Sequence, residues 1–219
     1  MIRFLLLYLF YILPENTLSI RVLPTWENTP MILNKPYLLH NDTLRIQQWK
    51  CYIQVCGLYK NNQLVYTFEK NHHLLDAERA SSLAWRLALP QGIAYDAIEC
   101  EIGVDSATQM EGVQGNDLDP EHDMYWSWQS GYIHTKVEAS LSNRTRNFTL
   151  HIGGFRAPYN TLQRVRFPVH TAGNLLLTCP INNWINNADS LSSYQIMRPC
   201  SEAVQLANEW AKTWKSEPI

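Results

Sequence analysis

The sequence predicts an all-β protein, an antiparallel β-sandwich or barrel-like domain that ends in one α-helix. Short apolar runs with a period of two residues recur from Ile20 to about Val169, and this alternation is typical of half-buried strands. Polar turns separate the runs, and no amphipathic helix lies between them. Only the end of the chain changes to a helical period.

The first 19 residues are predicted to be an export signal. One positive charge, Arg3, precedes a wholly apolar run from Phe4 to Leu13, and the polar tail that follows ends near Ser19, where we expect cleavage to within a few residues. The run is too short to span a bilayer, and no later segment is apolar for long enough. We therefore expect a periplasmic or secreted protein that is not embedded in a membrane. Residues 20–219 would form its single domain.

The predicted strands are short and follow one another closely. One run shows the alternation most clearly, with apolar side chains separated by polar residues or glycine at Ile98, Cys100, Ile102 and Val104. The other runs are Leu44–Leu58, Leu64–Phe68, Leu83–Leu89, Tyr132–Ala139, Phe148–Ile152 and Val165–Val169. Many short strands of this kind favour a sandwich or barrel.

Two stretches interrupt this pattern. Residues 105–129 are long for a loop in a compact domain, which indicates a functional segment or one with local order of its own. Residues 171–197 are rich in Asn and Ser, and we expect an irregular covering segment there.

Residues 201–214 are predicted to form the C-terminal helix. Ser201 can cap it, and Glu202 lies in its first turn. The apolar residues recur at helical spacing, at Ala203, Leu206, Ala207, Trp210, Ala211 and Trp214. We expect this face to dock on the sandwich.

Composition narrows the classes of function. Lys plus Arg is 18 and Asp plus Glu is 20, so the net charge is 18 − 20 = −2, and no basic excess indicates a nucleic-acid partner. The motifs GxSxG and HExxH and a phosphate loop are all missing. An enzymatic function therefore has the least support.

The five cysteines suit an oxidising compartment but do not all pair. Cys179 and Cys200 close a loop rich in Asn and Ser, which makes them the preferred disulfide. Cys51, Cys56 and Cys100 lie in predicted strands, where two of them form a bond or all three are small buried hydrophobic residues. Because no CxxC spacing occurs, a thiolate zinc site or a redox centre is not predicted.

The seven histidines are the first candidates for metal ligands. His72 and His73 are adjacent, and neighbours on a strand point to opposite faces, so only one of them can face a given site. His151 lies opposite the apolar face of its predicted strand, just before two glycines. A hydrogen-bonded structural role for His151 stays open beside a ligand role. His134 shares a predicted face with Lys136 and Glu138, and we expect it to be solvated.

An acidic segment and two tryptophans complete the candidates. Asp117, Asp119 and Asp123 offer oxygen ligands to calcium, although the glycine and final Glu of an EF-hand are missing and a solvated acidic turn is the alternative. Trp126 and Trp128 lie on one face of an extended segment, where they belong to the core or form the wall of a pocket.

Several blocks of residues then occur in a characteristic order. They are Gly-Val-Asp-Ser at 103–106, Leu-Asp-Pro at 118–120, Met-Tyr-Trp-Ser-Trp-Gln-Ser-Gly-Tyr-Ile at 124–133, Lys-Val-Glu at 136–138 and His-Ile-Gly-Gly at 151–154. Together they resemble the MbnP-like family of exported copper-binding proteins, which is related to MopE and CorA. The resemblance extends to residues 73–77 and, more weakly, to 196–199 and the last helix.

The resemblance implies a β-sandwich-like protein that binds one copper ion, Cu(I), through two histidines for copper acquisition, storage or handling. By position, the ligands would be His73 or His72 together with His151. In some relatives a tryptophan near the copper is oxidised to kynurenine, with a diheme peroxidase-like partner. This chain departs from the pattern of MopE, because Lys70 and Asn71 stand where a modified Trp would precede a ligand histidine by two residues.

A second hypothesis is a calcium-stabilised binding module outside the cytoplasm for a carbohydrate or protein partner. The acidic segment would hold the calcium ion, and exposed aromatic residues such as Trp126, Tyr132 and Tyr159 would contact the ligand.

Overall fold

A computed structural model describes residues 16–142, 147–191 and 194–218 of the protein. The strands in this part of the chain are β1 (Thr17–Trp26), β2 (Thr29–Pro30), β3 (Pro36–Leu39), β4 (Asp42–Lys60), β5 (Gln63–Thr67), β6 (His73–Asp76), β7 (Ala84–Ala88), β8 (Ala97–Ile102), β9 (Tyr125–Ser127), β10 (Gly131–Leu141), β11 (Phe148–Gly153), β12 (Gln163–Pro168), β13 (Asn174–Pro180), β14 (Gln195–Ile196) and β15 (Lys215–Glu217). The helices are α1 (Ser106–Met110), α2 (Ile181–Ser190) and α3 (Ser201–Ala211). The predicted all-β class with a C-terminal helix is confirmed.

The large sheet is organised around β4. This 19-residue strand pairs antiparallel with five others, β3, β5, β6, β8 and β10. β12 pairs with β8, while β11 and the short β9 both pair with β10. β14 pairs with β11 in parallel. A single long strand therefore aligns residues that are far apart in the sequence.

The small sheet joins the two ends of the described chain. β1 pairs in parallel with β13, from Ser19 opposite Asn174 to Thr25 opposite Pro180. β2 and β7 pair antiparallel with β1, and β15 pairs antiparallel with β13. The parallel pairs make the sheets mixed, whereas the sequence pattern predicted an antiparallel sandwich.

The main core lies where the two sheets and helices α2 and α3 meet. Its side chains include Ile20 from β1, Trp49 from β4 and Leu177 from β13, all fully or almost fully buried. α3 contributes its predicted apolar face and ends at Ala211, three residues before the predicted end. Trp214 is nevertheless buried beyond it. The N-cap position is Cys200, and not Ser201, and its side chain makes no capping hydrogen bond.

A second apolar cluster lies on the other face of the large sheet. Residues 103–131, which we call the cover segment, fold over this face, which we call the covered face. They bury Val104, Leu118 and Met124 against Tyr52, Leu74, Tyr132 and Ile133. The cover segment contains α1, two 3₁₀ turns at Asn116–Leu118 and Pro120–His122, and β9. The long interruption therefore has the local order that the sequence left open.

Residues 171–197 are not irregular, and this prediction is wrong. They form β13, α2 and β14. α2 buries Ile181, Trp184, Ile185 and Ala188, which recur at i, i+3, i+4 and i+7. The helix begins after Pro180 with no side-chain cap, and its exposed side is rich in Asn, so the usual start signal is missing.

The predicted disulfide between Cys179 and Cys200 is also wrong, because all five cysteines are free. Cys179 points from β13 into the main core, whereas Cys200 lies partly exposed at the start of α3. Cys51 and Cys100 are small buried core residues, the alternative left open by the sequence. Burial raises the pKa of the Cys51 thiol to about 12.

Most of the predicted export signal, residues 1–15, lies outside the described residues. The predicted cleavage position, Ser19, lies inside β1, where Leu18 is fully buried. Among the described residues, no helix has the length and apolar character needed to cross a membrane.

Candidate functional site

Three histidines lie on the covered face of the large sheet. His72 precedes β6 on the same side as Leu74, His134 is in β10 beneath the cover segment, and His151 is in β11 opposite Leu150 and Ile152 of the main core. All three are buried. His73 points to the other face, where its ring stacks on Trp85 at a centroid distance of 4.3 Å.

Both ring nitrogens of His73 face oxygen acceptors. Nε2 lies 2.7 Å from the carbonyl oxygen of Ser82, and Nδ1 lies 3.1 Å from Oδ2 of Asp117. A carbonyl and a carboxylate both accept hydrogen bonds, so each nitrogen of His73 already faces an oxygen of the protein and neither is directed at an open position for a metal. His73 therefore stabilises the contact between β6 and the cover segment.

His134 is held in one tautomer by its neighbours. The Gln109 amide accepts from the Tyr132 backbone N–H at 2.7 Å and donates to the Val104 carbonyl at 3.2 Å, which sets its orientation. The Nε2 group of Gln109 also donates to His134 Nε2 at 2.6 Å. The proton of the His134 ring is therefore on Nδ1, which lies 3.0 Å from Thr161 Oγ1. Burial lowers the pKa of His134 to about 3. The expectation that His134 is solvated is wrong, because the cover segment closes over it.

His72 has a buried nitrogen that lacks a hydrogen-bond partner. Its Nε2 atom lies 3.4 Å from Asp105 Oδ2, but no hydrogen bond forms. Burial lowers the pKa of His72, and the charge of Asp105 opposes this only in part. Burial acts against ionisation of Asp105, but hydrogen bonds from Lys70 and Thr108 lower its pKa to about 2. A neutral imidazole thus lies beside a fixed carboxylate.

His151 is oriented by an acidic neighbour. Its Nε2 atom lies 3.0 Å from Glu138 Oε1, an arrangement that favours a lone pair on Nδ1. Burial lowers its pKa, while Glu138 opposes that effect.

The two candidate tryptophans are placed very differently. A Cβ atom on Gly153 would lie 2.9 Å from the ring of Trp126, so this glycine lets Trp126 pack against β11 two residues beyond His151. Trp126 is half-buried, and its indole N–H is buried without a partner. Trp128 is 74% exposed and lies outside the covered face.

Gly103 makes room for His134. Its φ is +116°, and a Cβ atom there would lie 2.5 Å from His134 Nδ1. Two residues later, Asp105 caps α1 and reaches His72. The sequence blocks at 103–106 and 151–154 therefore meet around the three histidines of the covered face.

The predicted ligand pair His73 and His151 is not brought together. The two residues belong to opposite faces, and the order β6–β4–β10–β11 separates them by three strand spacings, about 14 Å. His72 and His134 interact electrostatically, since His72 is among the groups that lower the pKa of His134. His151 pairs with Lys136, two residues beyond His134 along β10.

The three candidate calcium ligands have separate partners. Asp117 accepts from the Leu74 N–H and contacts His73, Asp119 caps a 3₁₀ turn through the Glu121 N–H, and Asp123 pairs with Lys136. Within residues 16–142, 147–191 and 194–218, no group of three or more His, Cys, Asp or Glu side chains is arranged to hold a metal. The acidic segment is thus used to attach the cover segment. Of the aromatic residues predicted to contact a ligand in the calcium-stabilised module, Tyr159 is exposed, whereas Tyr132 is fully buried.

A row of buried charges was missed by the sequence analysis. Lys50 and Lys136 lie opposite one another on β4 and β10. The Lys50 ammonium donates to the His122 carbonyl at 3.0 Å and lies 3.8 Å from Asp76 Oδ2. Lys136 contacts Asp123 and lies 3.5 Å from Glu138. Both lysines fix the cover segment to the sheet. The sequence contained one sign of such a charge, since Lys50 lies within the long predicted strand Leu44–Leu58.

Comparison with known proteins gives a consistent result. The family model for MbnP matches residues 15–198, most of the chain. The solved structure of MbnP from Methylosinus trichosporium is similar, with a TM-score of 0.56 and 14% sequence identity over 78% of each chain. At this identity the likeness concerns the fold. No curated protein matches the chain. The matched segment ends before α3 and β15.

Proposed function

Because the chain belongs to the MbnP family, we propose that it is an exported copper-binding protein that holds one Cu(I) ion through two histidines of the covered face. The observation that carries the proposal is the buried Nε2 atom of His72, which lacks a hydrogen-bond partner and belongs to the same covered face as a second neutral imidazole, that of His134. Copper acquisition, storage and handling would all use such a site.

The chemistry of the donors fits Cu(I). Metal ligands must be deprotonated, and burial lowers the pKa of both His72 and His134, so protons do not compete for their lone pairs at neutral pH. Imidazole suits copper, and a pair of donors without a third ligand suits the low coordination number of Cu(I). The apolar side chains of Tyr52, Leu74 and Val104 are buried on this same face.

The neighbours of His134 support a ligand role. Thr161 contacts Nδ1, which orients the ring as an outer-shell partner would. The lone pair on Nε2 now accepts from the Gln109 amide, and a metal ion would replace that hydrogen bond. A hydrogen bond contributes only about 1 kcal/mol net. Copper would supply the Lewis acid, and the chain supplies an oriented pair of neutral donors.

The structure favours His72 over His73, and His151 stays a third candidate. His73 has both nitrogens occupied, whereas the contact of His151 with Glu138 leaves Nδ1 available. Of the two candidate tryptophans, only Trp126 lies on the covered face. Any oxidation by a diheme peroxidase-like partner should therefore be sought at Trp126 by peptide mass analysis.

The test is Cu(I) binding by the purified chain under reducing conditions, measured in competition with a chromophoric Cu(I) chelator. We expect one copper per chain, and a loss of at least 10-fold in affinity for His72→Ala and for His134→Gln. His73→Ala is the matched control, because it removes the adjacent histidine from the opposite face. Thermal unfolding of each variant separates loss of a ligand from loss of folding.

The outcomes differ clearly. Loss of binding in His151→Ala and His73→Ala, with none in His72→Ala, would restore the ligand pair predicted from the sequence. Absence of stoichiometric Cu(I) uptake by the folded wild-type chain would refute the function itself.

A further inference from the structure

A small pocket lies at the end of the cover segment, between the turn from β9 to β10 and the loop after β11. The turn between β9 and β10 presents Trp128, which is 74% exposed, and the loop after β11 presents Tyr159, which is 41% exposed. The pocket has a volume of about 160 Å³. Its lining includes Gln129, Ser130, Phe155, Arg156, Tyr159 and Pro199. We call it the aromatic pocket.

Tight turns hold the residues of the aromatic pocket. Gly131 has a φ of +72°, and the Ser130 N–H reaches Ser127 Oγ at 3.4 Å within the turn that carries Trp128. On the other side, the Tyr159 N–H donates to the Arg156 carbonyl at 2.8 Å. Gly154 allows the loop to close, because a Cβ atom there would lie 2.2 Å from the Tyr159 carbonyl oxygen. Aromatic rings that border a pocket supply a large apolar surface for a ligand, together with a polar group at the ring edge in Tyr and Trp.

The aromatic pocket carries a positive charge. The Arg156 guanidinium lies over the ring of Phe155, 4.8 Å from its centroid, and the Phe155 carbonyl accepts from Ser106 Oγ at 2.8 Å. This stacking holds the guanidinium plane against the pocket wall. Arg156 is the sole charged residue of the described lining, so no carboxylate of the pocket neutralises it. Guanidinium groups bind carboxylates in a bidentate, planar geometry.

We propose that the aromatic pocket binds an acidic sugar, that is, a hexuronate unit of an oligosaccharide. The apolar face of the sugar ring would pack on the aromatic side chains, its hydroxyl groups would meet the Gln129 amide and the Ser130 hydroxyl, and its carboxylate would meet Arg156. The volume suits a single ring, since pockets for larger ligands enclose about 300–1,000 Å³. A second unit would lie on the exposed indole of Trp128.

The test is titration of the metal-free full chain with a trimer of galacturonate and, separately, with maltotriose, followed by calorimetry and by tryptophan fluorescence. We expect the acidic trimer to bind at least 10-fold more tightly. Arg156→Gln should remove this preference and leave maltotriose binding unchanged, and Trp128→Ala should weaken binding of both trimers about 10-fold. Arg86→Gln, an exposed arginine on β7, is the matched control for the change in net charge.

Several results would overturn the proposal. They are equal affinity for the two trimers, no binding of either, or an equal effect of Arg156→Gln and Arg86→Gln. Self-association that depends on Trp128, seen by sedimentation without sugar binding, would identify a protein contact instead. Because the titration uses metal-free protein, its failure leaves the copper proposal untouched.

Discussion

Replacement of Gly103 by alanine should destabilise the protein through two separate effects. At a φ of +116° an L-residue is strained, which costs about 1–2 kcal/mol. The new Cβ atom would also lie 2.5 Å from Nδ1 and 2.7 Å from Cγ of His134. His134 cannot move away without losing its hydrogen bonds to Gln109 and Thr161, so overpacking adds about 1–3 kcal/mol.

The expected total loss in the free energy of unfolding is about 2–5 kcal/mol, which lowers the melting temperature by roughly 4–20 °C for a chain of this size. Urea unfolding of wild type and Gly103→Ala measures the loss directly. Gly92→Ala is the matched control, because Gly92 also has a positive φ, +73°, but no atom lies within 4 Å of its added Cβ. It should show the strain alone.

A double-mutant cycle isolates the overlap. In a His134→Ala background, Gly103→Ala should lose its second effect, and the coupling between the two positions should be at least about 1 kcal/mol. Equal costs for Gly103→Ala and Gly92→Ala, or additive effects of Gly103→Ala and His134→Ala, would show that His134 does not occupy the space beside Gly103.

Three further predictions concern buried groups. Burial lowers the pKa of His134 to about 3 from 6.5, so between pH 6.5 and 3 only the unfolded chain binds this proton. The free energy of unfolding should therefore decrease by up to about 1.4 kcal/mol for each unit by which the pH falls in that range. Urea titrations at pH 7, 6 and 5 should show a shallower decrease for His134→Gln than for wild type, and parallel curves would contradict this. Asp76→Ala leaves the buried Lys50 ammonium without its carboxylate and should lower the free energy of unfolding, measured in urea, by about 3–5 kcal/mol. Addition of Lys50→Met should recover part of this loss. A loss below about 0.5 kcal/mol would argue against a buried pair. Thiol titration of unreduced, denatured protein should find five thiols. Folded protein should react rapidly only at Cys56 and Cys200, because the other three cysteines are buried. A count of three thiols on denaturation would reveal a disulfide.

The sequence was sufficient where a local pattern determines the structure. Alternation predicted the strands, and helical spacing predicted α3, because both periods follow directly from which side chains are buried. α2 has the same kind of spacing, but its Asn-rich outer side and the missing cap concealed it. The disulfide prediction failed because loop composition says nothing about the direction in which Cys179 points.

The candidate site was harder to predict, because burial there depends on contacts between distant segments. His134, Lys136 and Glu138 form a polar face in sequence, which is typical of a solvated strand surface. The cover segment then packs over that face through Lys50, Lys136 and Gln109, and no period-two pattern contains this information. The choice between His72 and His73 likewise depends on the register between β6 and β4.

The parallel pairing of β1 with β13 has a consequence for when the protein can fold. Ser19 pairs with Asn174. Strand β1 therefore lacks its parallel partner, β13, until about four-fifths of the chain is available. Closing a loop of this length carries an entropic cost that only a late, cooperative step can offset. As the chain emerges from a ribosome or a membrane pore, β1 can pair early with β2 and β7, but its parallel edge stays open and the small sheet is completed only after β13 has emerged.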